Sequence, residues 1–400
     1  MKPFRFVLAF ALLYAGAAFA ADTPAANGLA RALEQAWRLH PQAAALDARD
    51  AEARATRDIA AGLAPEPGSV SIGGRNDRLN RNLGKQEYEI ELAAPLWLPG
   101  QKAAREAEAV SRIDEASARR AALRSELAGE LREAWWSLAA ARNAKALAAR
   151  RLDTARLLAA DVRRRHEVGE LSRIDANLAR SEVHAAGAEL IETEATLLQA
   201  EQALRTLTGT AAPQDMGEEA PATPETHPLL TAAAATARAA RARVAVANES
   251  RRAAPELALR VVRERGDFAE PYANTIGIRL KIPFSSDARV RRESSAAQAD
   301  ADRADAEMLR AQTRVRLEAE RARSALQSAE RQLAMAQERL ALSAENLRLS
   351  EKAFSLGESD LATLLRIRAA AFDAEAFLDR QRVARAAAVS RANQAMGVLP

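Results

Sequence analysis

Two stretches of the chain alternate apolar and polar residues, and each runs into a long stretch of helical periodicity. Within residues 86–102, Tyr88, Ile90 and Leu92 share one side of a strand, while Glu87, Glu89 and Glu91 share the other. Pro95, Pro99 and Gly100 end the alternation, and a helical pattern then runs over 101–166. Within residues 272–283, Ile276, Ile278, Leu280 and Ile282 face one way, and Thr275, Arg279 and Lys281 the other. A second long helical pattern follows over 287–356. Each strand has an earlier companion across a polar loop: 70–72 before loop 73–85, and 257–262 before loop 263–271. Shorter helical patterns cover 29–62, 170–208, 228–252 and 360–396.

This order repeats. His40-Pro41 returns as His227-Pro228, Pro95 as Pro283, Gly169-Glu170 as Gly357-Glu358, and Thr208-Gly209 as Met396-Gly397, each about 188 positions later. The stretch 209–226, with Pro213, Pro221, Pro224 and several acids, reads as a connector. The expected organisation is therefore a leader at 1–20, a first repeat at 21–210 and a second at 211–400.

The long patterns span roughly 99 Å and 105 Å at ~1.5 Å per residue, far more than a globular core needs. The helices at 360–396 and 29–62, placed end to end, span about 107 Å and predict an opposing path of matching length. Leu326, Leu333, Leu340, Leu347 and Phe354 recur every seven residues, the seam of a left-handed coiled coil.

Lys2 and Arg5, the apolar run 6–17 and Ala18-Phe19-Ala20 form a secretory signal with a small-x-small cleavage site. After it, no stretch approaches the ~20 apolar residues of a membrane helix. Entry into a membrane would then require strands in a closed barrel, since an open sheet edge cannot face lipid. There is no Cys, so disulfides and zinc–thiolate sites are excluded. The chain carries 58 Lys and Arg against 54 Asp and Glu, and the leader would take two of the cations. That near-neutral balance gives no reason to expect a nucleic-acid partner.

The motifs HEVGELSRIDANLARSEV at 166–183 and FSLGESDLATLLRIRAAAFDAE at 354–375 lie at corresponding places in the two copies. Together with the signal and the doubled strand–loop–strand–Pro–long helix order, they resemble the TolC-like outer-membrane efflux family over about residues 28–400. PLWLPGQKAAREAEA at 95–109 is similar to members serving heavy-metal exporters of the cobalt–zinc–cadmium type. The resemblance implies a mainly α fold with a small β part. Three subunits would close a 12-strand outer-membrane barrel, four strands each, above a helical tube crossing the periplasm. A homotrimer would dock on a periplasmic adaptor and an inner-membrane pump, of the resistance-nodulation-division type, and export metal ions or small toxic compounds. Outer-membrane lipid would meet the apolar strand faces, and the lumen would carry Glu87, Glu89, Glu91, Arg260, Arg279 and Lys281.

The resemblance also implies that Val168, Gly169, Leu171, Ser172, Leu356 and Gly357 form the tips that contact the adaptor. It places Asp175, Thr363, Arg366 and Arg368 at the closed periplasmic end, where Asp175 and Arg366 are either an ion pair or two solvated helix-surface charges. Family members keep acids there, and the second copy departs from that with Thr363, Arg366 and Arg368.

His40, His166, His184 and His227 have no metal-site spacing, and His40 and His227 precede Pro at helix starts. Trp135 and Trp136 read as packing. No nucleophile–base constellation or phosphate loop is present, so neither an enzyme nor a cofactor is expected. The rival reading is a periplasmic coiled-coil adaptor or a structural protein of a secretion system, which would lack the doubled amphipathic strand pairs.

Overall fold

The computed structural model describes residues 28–211, 213, 216–218, 226–284 and 287–400. The signal at 1–20 lies outside them, as do Pro221 and Pro224 of the connector. The first half contains α1 (Gly28–Leu39), α2 (Pro41–Ala61), β1 (Ser69–Asn76), β2 (Gln86–Pro95), α3 (Gln101–Glu167) and α4 (Arg173–Thr208). The second contains α5 (Pro228–Glu249), β3 (Glu256–Arg265), β4 (Ala273–Lys281), α6 (Asp287–Ser355) and α7 (Leu361–Ala395). Helices α3 and α6 have 67 and 69 residues, each about 100 Å long. Among the described residues no helix is long and apolar enough to cross a membrane.

The single helix expected over 29–62 is two. Pro41 has no N–H to continue α1, so His40 turns extended, and its Nδ1 accepts a hydrogen bond from the Gln42 N–H. His227 opens α5 the same way, accepting from Leu229 N–H ahead of Pro228.

The predicted opposing path also needs correction, because α7 does not continue into α1 and α2. Instead α4 ends beside α1, where Thr210 Oγ1 donates to Gln35 and Gly209 lies against Leu39. Helix α7 ends beside the start of α5, where Gly397 packs on His227 and Pro228. The lengths permitted either pairing. Side-chain packing chose the within-half one: Leu29 and Leu33 of α1 share a core with Leu131, Trp135 and Leu138 of α3 and Leu204 of α4.

The coiled-coil seam is present on α6. Leu326, Leu333, Leu340 and Leu347 are half-buried and alternate with the small residues Ala329, Ala336, Ser343 and Ser350. Phe354 closes the seam against Leu361 and Leu364 of α7. Helix α3 has neighbours on both sides, α2 and α4 on one and α5 and α7 on the other, whereas among the described elements α6 meets only α5 and α7. Met335, Leu342 and Leu349 on α6, and Ile174, Ile191 and Leu198 on α4, are exposed. The protomer thus has two unlike flanks.

A buried ionic knot joins the connector to both halves. The Arg132 and Glu218 side chains are 3% and 4% exposed. Arg132 donates from Nη2 to Glu218 at 2.6 Å and to the Val398 carbonyl at 2.9 Å, and from Nη1 to Gln394 Oε1 at 2.6 Å. Glu218 also accepts from Ser390 Oγ and from Asn393 Nδ2. With its donors and acceptors matched, this pair can be buried without an orphaned charge.

Candidate functional site: an inverted sheet and two helical tips

The four strands form one antiparallel sheet in the order β1-β2-β3-β4, so the central pairing, β2 with β3, joins the two halves. Partners opposite one another point to the same face. On one face the register gives rungs Val70–Leu92–Leu259–Ile278 and Ile72–Ile90–Val261–Ile276, with Leu257–Leu280 nearer the helices. All are well exposed, Ile72 at 81% and Ile278 at 78%. On the other face lie Glu87, Glu89, Glu91, Arg260, Arg279 and Lys281. Arg260 pairs with Glu89 at 2.7 Å and Glu87 at 3.6 Å, Arg75 pairs with Glu87 at 3.7 Å, and Arg279 pairs with Glu91, which is only 6% exposed. The sheet therefore turns its greasy side outward and its ions inward, the reverse of a sheet on a water-soluble core.

The sheet is fastened to the helices at the Pro95–Gly100 corner. Trp97 Nε1 donates to the Gly62 carbonyl at the end of α2. Gln101 is buried, accepts from Leu98 N–H and donates to Ser250 Oγ beyond α5.

At the opposite end, α3 turns into α4 and α6 into α7 by the same motif. Gly169 has φ +84° and Gly357 φ +76°. Gly169 N–H bonds the His166 carbonyl and Glu170 N–H the Arg165 carbonyl; Gly357 and Glu358 repeat this with Phe354 and Ala353. A side chain at either glycine would meet nothing within 4 Å, so the left-handed backbone alone calls for Gly. Val168 and Leu356 are exposed at the tips, while Leu171 packs inward on Val162 and Phe354.

The residues expected at the closed end sit just beyond. Ser172 caps α4, and Asp175 completes a capping box, its carboxylate accepting from Ser172 N–H and Oγ. In the second tip the acid has moved to the cap itself: Asp360 accepts from Thr363 N–H at 2.7 Å. Hydrogen bonding from Thr363, side chain and then backbone, holds the Asp360 carboxyl below its ordinary value, and Arg366 adds to this. The departure at Thr363 is thus a relocation of one carboxylate by three residues, with negative charge kept at the helix start. S-x-x-D at 172–175 was the available signal for this role. Arg368 pairs with Glu351 at 2.7 Å. No ion pair among the described residues of one protomer joins Asp175 to Arg366.

Trp135 is fully buried in the α1–α3–α4 core. Trp136 is half-buried and lines a groove between α3 and α7 with Ser137, Asp379, Val383 and Ala387. Among the described residues no group of three or more His, Asp or Glu could hold a metal ion.

An outward-greasy four-stranded sheet above paired helices of about 100 Å defines the fold class, a β-topped helical tube. Residues 28–210 match the family described as outer membrane efflux protein. No curated protein matches the sequence. A membrane protein from Pseudomonas aeruginosa has the same fold at TM-score 0.76 and 20% identity, over 93% of this chain and 90% of that one. The CmeC outer membrane channel of Campylobacter jejuni gives 0.75 and 15%, over 93% and 86%. The outer membrane protein VceC of Vibrio cholerae gives 0.74 and 15%, over 92% and 96%. The family match covers the first repeat, and these solved structures show that the fold of nearly the whole chain is shared with outer-membrane channels.

Proposed function

We propose that three copies of this chain form the outer-membrane duct of a tripartite exporter, a passive conduit for metal ions or small toxic compounds. The observation that carries this reading is the reversed polarity of the sheet, continuous with helices long enough to cross the periplasm. Four strands per copy supply a 12-strand barrel with outer-membrane lipid around it, and β1 of one copy pairs with β4 of the next. The lumen then carries Glu87, Glu89 and Glu91 against Arg260, Arg279 and Lys281, and such mixed signs suit a wet conduit rather than a filter for one ion.

The tips, through Val168, Gly169, Leu171, Ser172, Leu356 and Gly357, receive a periplasmic adaptor that links the duct to an inner-membrane pump of the resistance-nodulation-division type. Exposed Val168 and Leu356 support this, because they offer apolar contact at the point farthest from the barrel. Asp175, Thr363, Arg366 and Arg368 line the end that closes. Asp175 and Arg366 from different copies meet there, since within one copy Asp175 is turned to Ser172.

The test is extraction from outer membranes, followed by sizing, heat-sensitive gel mobility and planar-bilayer conductance. A heat-labile trimer with ion conductance is the expected result. A soluble monomer, or a trimer that conducts nothing after the Asp175 and Arg366 contacts are removed, would overturn the reading.

A further inference from the structure

The arginines of the sheet divide into two kinds. Those on the inward face, Arg75, Arg260 and Arg279, each pair with a carboxylate of β2. Arg263 and Arg265 continue the outward face of β3, beyond Leu257, Leu259 and Val261. Among the described residues neither has a carboxylate within 4 Å. Glu264 points to the other face, Glu270 accepts from Gly266 N–H, and Asp267 accepts from Ala269 and Glu270 N–H.

Both guanidinium groups are nonetheless held in place. Arg263 lies 4.7 Å and Arg265 4.9 Å from the centre of the Tyr272 ring, and Arg265 also lies 5.4 Å from Phe268. Arg265 Nε donates to the Gly84 carbonyl, and the Tyr272 hydroxyl donates to Gln86 Oε1. Stacking fixes the planes while leaving the remaining N–H groups of each fork for another acceptor.

Their height is set by the register. Arg263 stands opposite Tyr88 and Asn274, one rung beyond Ile72–Ile90–Val261–Ile276, and Arg265 opposite Gln86 is one rung further. This is the end of the sheet remote from the helices, hence the outer leaflet. Arg78, Arg81 and Lys85 in the adjoining loop add cations. Strand β3 is internal to the sheet, so closing a barrel through β1 and β4 leaves the pair uncovered.

We infer that Arg263 and Arg265, braced by Tyr272, form a binding site for the phosphate of an anionic lipid in the outer leaflet, one site per subunit. A planar fork matches a phosphate by bidentate hydrogen bonds, and the aromatic rim places the headgroup at the membrane–water boundary. Free inorganic phosphate offers the same oxygens without an acyl chain to lie along Val261 and Ile276, so the lipid is the occupant.

Native mass spectrometry of the detergent-extracted trimer tests this with diphosphorylated lipid A, the same lipid after phosphatase treatment, and inorganic phosphate. The expected result is up to three retained lipid A molecules, loss of retention with the dephosphorylated lipid, and no displacement by millimolar inorganic phosphate. Retention should fall on the order of tenfold or more in Arg263→Gln/Arg265→Gln, with trimer yield and conductance unchanged. Equal retention of the dephosphorylated lipid by the unaltered chain, displacement by inorganic phosphate, or undiminished retention in an assembled double variant would each overturn the proposal. The first two arms need no substitution, so they decide the matter even if the double variant fails to assemble. Conductance reports separately on the duct itself.

Discussion

Removing Arg132 would leave the Glu218 carboxylate buried with only Ser390 and Asn393 as partners, and would strip the Val398 carbonyl and Gln394 Oε1 of their donor. Breaking a buried pair from one side costs about 3–5 kcal/mol, because an uncompensated charge remains. Arg132→Met should therefore lose about that much. Glu218→Gln in the same chain removes the stranded charge while its amide oxygen still accepts from Ser390 and Asn393. The main residue of damage is then the orphaned Val398 carbonyl, about 1–3 kcal/mol. The double variant should thus be about 2 kcal/mol more stable than Arg132→Met alone, despite carrying one more substitution. Arg150→Met is the control, since Arg150 is 54% exposed against Glu375 and Asp379 and should cost ~0–1 kcal/mol. Denaturant unfolding followed by tryptophan emission suits the measurement, with Trp135 in the adjoining core. A loss for Arg132→Met no larger than for Arg150→Met, or strict additivity in the double variant, would refute the knot as a buried structural tie.

Ile278→Arg places a cation on the outward face and should reduce assembled trimer in outer-membrane fractions by roughly 2–4 kcal/mol of barrel stability near the midplane. Thr275→Arg, on the inward face, should be mild, and equal losses would mean the faces are assigned wrongly. Gly357→Pro should spare trimer yield yet abolish adaptor cross-linking and export, because the tip is about 100 Å from the barrel along α6; disappearance of the trimer would make the turn a folding element instead. Burial pushes the His227 imidazole below its ordinary 6.5, with Glu318 working against it. The fold therefore prefers neutral His227, and the α5–α7 junction is stable above pH ~6.5 and weakens as pH falls below it. Thermal unfolding from about pH 7.5 to 5 should cost the unaltered chain more than His227→Asn, which keeps a capping side chain without the titration; identical pH profiles would remove His227 from the account.

The strands were legible because a lipid-facing sheet keeps the period of two and only exchanges which side is wet. Glu89 beside Ile90 carries that message without any contact being known. The long helices were legible from length and the seam at Leu326–Phe354. The break at His40 was visible in the His-Pro pair, yet its effect on the backbone had to be seen. What could not be read was long-range choice. Nothing in the spacing tells Arg132 that its partner lies 86 residues on in a polar connector. Likewise, equal lengths could not say whether α7 is continued by α5 or by α2. At the tips, following the sixth residue after each glycine made Thr363 look like a loss, whereas the helix-capping chemistry equates Ser172 and Asp175 with Asp360 and Thr363.

The unlike flanks of the protomer have a genetic consequence. In the proposed ring of three, the unlike flanks join subunits head to tail, each lending one flank and borrowing the other. A lesion on either flank therefore harms a neighbour whose own sequence is intact. In a cell making equal amounts of altered and unaltered chains, random assembly of three would leave only about one ring in eight free of a faulty joint. Flank substitutions around Leu342 or Ile191 should then behave as dominant, whereas lesions confined to the α1–α3–α4 core, which stop a chain from folding at all, should be recessive.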